Sequence, residues 1–246
     1  GDSPYKLVLK QASDATRAAI KNGIDRASIE FPPVSGMLDV SLGQTLDANR
    51  EHARELARAF SASLGQRLWL VFPDDSEARL AQKAFGGTTP FLVTSVSAAV
   101  RDGKASDCGF QLVVQPGFNI QEWLSMEEIY RGPGVPMVTL NGGLDKVRGG
   151  YYPRLFYPGL HAARERFLKL FEPVYYLKPL TNGWIFRCYP EPWQVLFKPP
   201  GLKATGRGGR GEMPGTAPAP VVLQTTVERP EYNAAAALIQ KAALGQ

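Results

Sequence analysis

Cysteine and histidine are scarce in this sequence: 246 residues carry two of each. Cys108 and Cys188 lie far apart in the chain and neither sits in a CxxC pair, which argues against a zinc site and against a secreted disulfide framework. Both are read as reduced thiols. His52 and His161 fall inside predicted surface helices, where a solvated imidazole is expected rather than a general base. The chain has no GxSxG elbow to present a nucleophilic serine. It has no GxGxxG after its first strand and no GxxxxGK[ST] to wrap backbone amides around a phosphate. Long apolar runs are missing as well, and none approaches the ~20 residues that cross a bilayer. These gaps leave no expected catalytic residue, metal or cofactor, and a soluble or peripheral chain is expected.

What is present is ordinary globular composition, 44% hydrophobic and 21% charged. A chain of this length buries roughly 70–75% of the surface its unfolded form exposes, so it can hold a core without staples. The net charge of +5 permits an acidic partner, an anionic membrane surface or a nucleic acid, without demanding one.

The periodicity alternates between strand and helix. Ser3 and Pro4 supply an N-cap and N1 pair for a helix whose apolar positions Leu7, Val8, Ala12, Ala15, Ala19 and Ile20 recur until Asn22-Gly23. Ala27 to Phe31 reads as a short strand, Leu46 to Leu64 as an amphipathic helix, and Arg67 to Phe72 as a central strand covered on both faces. Asp75 or Ser76 is the expected cap of a helix running to Phe85. Strands are predicted at Phe91 to Val96, Gln111 to Val114 and Val135 to Leu140, with a helix at Trp123 to Ile129. This alternation predicts a three-layer, Rossmann-like α/β fold with a mostly parallel sheet through residue 140. After a helix over His161 to Phe171, the segments Val174 to Leu177, Trp184 to Tyr189 and Trp193 to Phe197 follow too closely for parallel crossovers. They predict an antiparallel C-terminal meander at an edge of the sheet or folded over it.

The single domain is therefore expected over residues 1–198. Half of the twenty-two residues from Pro199 to Pro220 are Pro or Gly, which predicts a flexible excursion. Residues 221–246 read as a strand and helix extension, with Ala235, Leu238, Ile239 and Ala242 on one face of a helix over Glu231 to Ala243.

Two places stand out as candidate sites. Open parallel sheets bind ligands outside the carboxyl ends of their strands. Asp74, Asp75, Gln115 and Asn141 end strands here and are expected to converge on one rim. The same residue types also end strands simply as turns and caps. The second place is Arg148 to Lys169, where aromatic and basic residues interleave: Arg148, Tyr151, Tyr152, Arg154, Phe156, Tyr157, Arg164 and Arg166 against the single acid Glu165. That mixture suits protein interfaces and lipid headgroups alike. Burial of the rings with the arginines left wet is the plainer alternative. Gly206 to Gly211, an Arg-Gly run, raises RNA binding as a further alternative.

Several stretches resemble a family of plant, algal and cyanobacterial proteins known as a domain of unknown function. They are Ala18 to Gly23, Glu30 to Pro32, Val71 to Asp74, Phe171 to Leu180, Gly183 to Arg187 and Tyr189 to Val195, so the similarity covers about residues 5–198. The family includes a stromal assembly factor of the low-photosystem-II-accumulation type and a domain appended to a plastid adenylate kinase. Members often carry Asn-Pro-Gln-Trp where this chain has Asn141-Gly-Gly-Leu144. The resemblance implies a chloroplast protein of the stroma or the stromal thylakoid face, freed of its transit peptide. It would act by binding a photosynthetic complex, photosystem II among the candidates, in assembly, repair or an auxiliary role. Contact with anionic lipid is a secondary expectation. A small-molecule or nucleotide enzyme at the strand-end rim is the competing reading.

Overall fold

The computed structural model describes residues 5–34, 40–103, 107–117, 120–148, 151–200 and 218–245. Its elements run α1 (Tyr5–Lys21), β1 (Arg26–Glu30), α2 (Leu42–Ser61), β2 (Leu68–Phe72), α3 (Asp75–Ala84), β3 (Leu92–Ser95), α4 (Val96–Asp102), β4 (Phe110–Val114) and α5 (Ile120–Ile129). Then come β5 (Met137–Leu140), α6 (Leu144–Arg148), α7 (Pro158–Arg166), β6 (Glu172–Leu180), β7 (Gly183–Cys188), β8 (Trp193–Phe197), β9 (Val221–Thr226) and α8 (Tyr232–Ala243). The nine strands form one sheet in the order β3-β2-β4-β5-β1-β6-β7-β8-β9.

Local chemistry explains the helix ends. α1 stops because Gly23, at φ +86°, turns the chain so that Ile24 N–H donates to Ala19 O and Gly23 N–H to Ile20 O. α2 starts four residues before its apolar face suggests. Ser41 Oγ accepts from Gln44 N–H, and Gln44 Oε1 accepts from Ser41 N–H, a reciprocal capping box. Asp74, rather than Asp75 or Ser76, caps α3 by accepting from Glu77 N–H at 2.8 Å.

Every residue of β2, β4 and β5 is buried, as a strand between two helical layers requires. One face packs on α1, α2 and α3, joining Ala12, Ala19, Leu56 and Phe60 to Leu70, Leu112 and Leu140. The other packs on α4, α5, α6 and α7 through Ala99, Trp123, Met126, Val147 and Leu160. The alanines of α1 and α2 let both helices approach the sheet closely.

The parallel part extends one strand further than expected. β6 pairs with β1 in parallel register, Ala27 opposite Glu172 and Ile29 opposite Tyr175, with a bulge between Ser28 and Ile29. The segment from Asn141 to Phe171, with α6 and α7, is long enough to be a crossover. Beyond it, β6, β7, β8 and β9 form the antiparallel meander at the sheet edge. The terminal helix docks on its own domain: Ala235 and Ile239 of α8 are buried against Tyr176, Ile185, Trp193 and Val195. Most of the Pro/Gly-rich excursion, including its Arg-Gly run, lies outside the described residues. So do Ser3 and Pro4.

Candidate functional site

The order of the strands fixes where a crevice must form. Leaving β1 and β2, the chain crosses on the α2 and α3 face; leaving β4 and β5, it crosses on the opposite face. β2 neighbours β4, and β5 neighbours β1. The chain therefore diverges between the carboxyl ends of both pairs, the place where open sheets bind ligands.

In this molecule the protein's own side chains occupy that place. Asn49, buried on α2, donates Nδ2–H to Gln115 Oε1 at 2.7 Å, and its Oδ1 accepts from Asn141 Nδ2–H at 2.7 Å. Asn141 Oδ1 accepts from Phe31 N–H at 2.8 Å. Gln115 and Asn141 both hold left-handed backbone, φ +45° and +51°, which their hydrogen bonds sustain. Trp123 packs against the loops that follow these residues: a Cβ on Gly117 would fall 2.6 Å from Trp123 Nε1, at a φ of +116° that disfavours any side chain, and one on Gly142 would fall 3.0 Å from the Trp123 ring.

Of the four expected rim residues, then, two meet and two do not join them. Gln115 and Asn141 share Asn49, while Asp74 caps α3. Asp75 accepts hydrogen bonds from Ser95 and Ser97 at the α4 start, and these hold its carboxyl below the usual carboxylate range. Asp75 also lines a small pocket of about 240 Å³ with Arg79 and Arg101. Among the described residues no group of three or more His, Cys, Asp or Glu is placed to hold a metal ion.

His52 contradicts its expected solvation. It is buried, its ring centroid lies 4.3 Å from Tyr5 and 5.2 Å from Phe31, and its Nε2 lies 2.8 Å from Pro33 O. Burial lowers its pKa, so the neutral ring belongs to the folded state. The helical pattern put His52 on a helix correctly but could not show that Tyr5 and Phe31 cover it.

The aromatic and basic segment divides between inside and outside. Phe167 and Leu168 are buried, and Tyr152 packs half-buried on the α5 and α7 core. Tyr151 and Tyr157 each meet the Tyr152 ring edge to face, at 5.1 and 5.3 Å. His161 Nε2 lies 2.6 Å from Tyr152 O. Phe156 and Tyr157 N–H groups both bond to Pro153 O, closing a turn before Pro158 opens α7. The turn projects Arg154, Leu155 and Phe156 outward: Leu155 is 85% exposed, Phe156 73%, Tyr151 71% and Tyr157 36%. Around it Arg166 donates two hydrogen bonds to the Glu127 carboxylate, each at 2.7 Å, while Lys169 and Arg164 share Glu165. Arg148 is the last residue of α6.

Comparison with known proteins gives one match. The family model described as a domain of unknown function, DUF1995, matches residues 3–235. The chain belongs to that family. No curated protein and no solved structure matches it. The DUF1995 match runs past the expected limit of residue 198 through β9 and into α8, which accords with the shared core that these elements build with β7 and β8.

One cluster of this DUF1995 domain had no sequence signal, because its members come from three distant segments. Asp145 of α6 accepts from Tyr176 Oη–H at 2.7 Å and from both terminal nitrogens of Arg229. The Arg229 guanidinium lies over the Tyr176 ring at 4.7 Å and reaches Trp193 at 5.8 Å. Burial acts to raise the Asp145 pKa, but the bonds from Arg229 and Tyr176 outweigh it and the carboxyl ends below its usual range. Burial and the neighbouring carboxylate push the Tyr176 phenol far above its usual value. The cluster ties the C-terminal extension to α6, the element that leads into the exposed turn.

Proposed function

We propose that this chain is a non-catalytic chloroplast protein that binds a photosynthetic membrane complex as an assembly, repair or auxiliary factor, with photosystem II the leading partner. The observation that carries the reading is the turn at Arg154 to Tyr157. Leu155 and Phe156 are held in water by a hydrogen-bonded turn, two ring contacts and the His161 bridge, although a folded chain gains by burying such residues. Clustered exposure of this kind marks a surface whose cover comes from elsewhere. The basic residues beside it set the sign of the partner.

The resemblance to plant, algal and cyanobacterial proteins noted above is what suggests photosynthetic membranes as the place of action. The strand-end enzyme reading has less room at the ends of β4 and β5, because Asn49, Gln115 and Asn141 bond one another there. A thermal-shift screen against nucleotides and sugar phosphates weighs the two readings. A ligand at a hundred times its Kd stabilises a fold by ~2.7 kcal/mol, and such a shift would favour the enzyme. For the proposed function, the direct test is comigration on native gels. The tagged chain, added to solubilised thylakoids, is expected to run with a photosynthetic complex; migration with none of them would sink the reading.

A further inference from the structure

The exposed turn also identifies what it touches. We propose that residues 151–157 insert into the headgroup region of an anionic lipid bilayer, with Leu155 and Phe156 as the wedge. This rests on the binding role above and names the surface on which that role is carried out.

Shape is the first argument. Leu155 and Phe156 stand at the apex of a convex turn closed by the Phe156 and Tyr157 bonds to Pro153 O. A protein partner would need a matching concavity for that apex, whereas a fluid bilayer opens around it. Exposure is 85% at Leu155, 73% at Phe156, 71% at Tyr151 and 36% at Tyr157, so the aliphatic side chain is the most exposed and the tyrosine rings are less so. This is the depth order in which such residues settle at an interface, hydrocarbon innermost and amphipathic rings at headgroup level.

Charge is the second. Arg154 at the apex is exposed, and Lys146 on α6 is exposed nearby in the chain. The lone acid of the segment, Glu165, is shared among Lys169, Arg164 and the field of Arg154, which together hold its carboxyl below the usual range. From Arg148 to Lys169 the chain carries five cations against one carboxylate, with Arg166 paired to Glu127 of α5, and this excess matches the negative leaflet that attracts polybasic segments. The two effects differ in salt response, because headgroup attraction is screened and apolar insertion is not.

The test is co-sedimentation of the full chain with vesicles of phosphatidylcholine alone and of phosphatidylcholine mixed with phosphatidylglycerol. The chain is expected to partition onto the phosphatidylglycerol vesicles about tenfold better. Leu155→Asp, Phe156→Asp and Arg154→Glu should each lower that partition about tenfold. Leu7→Asp, exposed on α1 far along the chain, should leave it unchanged. Melting temperatures of all variants check that each is folded. Absence of partition onto either vesicle, or partition that Leu155→Asp and Phe156→Asp leave intact, overturns the inference. If vesicle binding is absent while comigration with a complex survives in the wild type and is lost in Phe156→Asp, the surface meets protein, and only the lipid assignment fails. If vesicle binding behaves as expected and comigration is absent, the lipid assignment stands without the complex.

Discussion

Single side chains decide what the strand ends can do. Asn49 connects α2 to the ends of β4 and β5, and its amide satisfies one half-buried group on each. Removing it leaves Gln115 Oε1 and one Asn141 Nδ2–H without that partner. Asn49→Ala is therefore expected to cost about 2–3 kcal/mol in denaturant unfolding, since an unpaired buried polar group costs about 1–3 kcal/mol. If the crevice at these strand ends were instead an open ligand site, water would replace the amide and the loss would be near zero.

His52 and Asp145 give the molecule two separate responses to acid. The His52 pKa is lowered in the folded state, so its contribution is complete above the unfolded value of about 6.5 and declines as pH falls below it. The Asp145 pKa is lowered too, so its contribution is complete above about 4 and is lost as pH drops further. Stability measured by urea unfolding should fall in two stages, the first beginning as pH drops below about 6.5 and the second as it drops below about 4. His52→Phe should flatten the first stage and leave the second. Asp145→Asn should leave the first stage and weaken the second.

At the scale of elements, the meander and α8 show how the C-terminal region becomes part of the domain. Ile239 is fully buried against β7 and β8. Ile239→Ala should cost about 2–4 kcal/mol, the range for cutting a buried aliphatic side chain to alanine. The loss should appear first as amide exchange in α8 and β9. Uniform exchange across all helices would show instead that α8 unfolds only with the whole sheet.

Much of this architecture was legible because burial on both sides leaves short continuous apolar strands, such as Leu68 to Phe72, too short for a buried helix and bounded by turn residues. Helix α4 was not legible: seven residues between two strands offer too short a period, so Val96 read as strand. The direction of β6 was invisible because an apolar strand carries no mark of its neighbour's orientation. The start of α2 was readable in principle from Ser41 and Gln44, whose spacing is that of a capping box.

The candidate sites divide in the same way. Sequence pattern found Gln115 and Asn141 because turn residues follow their strands, but it could not supply Asn49, which sits mid-helix with no local signal. It singled out the Arg148 to Lys169 segment from composition alone. The division of its rings between Tyr152 and Phe167 inside and Tyr151 and Phe156 outside depends on where α7 packs.

For the molecule as a whole, the sheet and its helices form a rigid support that places one apolar turn on the surface. Asn49 bridges the ends of β4 and β5, and Asp145, Tyr176 and Arg229 brace the start of α6. Among the described residues the turn gathers Tyr151, Leu155 and Phe156 into one exposed apolar cluster, while others such as Val227 and Leu244 are exposed elsewhere. Because Leu155 and Phe156 are exposed, changing both to aspartate should alter stability by less than about 0.5 kcal/mol each. Their loss is then a clean probe of binding. The deciding measurement is co-sedimentation of the wild-type chain and the Leu155→Asp/Phe156→Asp variant with intact, washed thylakoid membranes at equal concentration. The wild type should sediment with the membranes and the folded double variant should stay in the supernatant. Equal sedimentation of the two would contradict the assignment of this turn as the working surface.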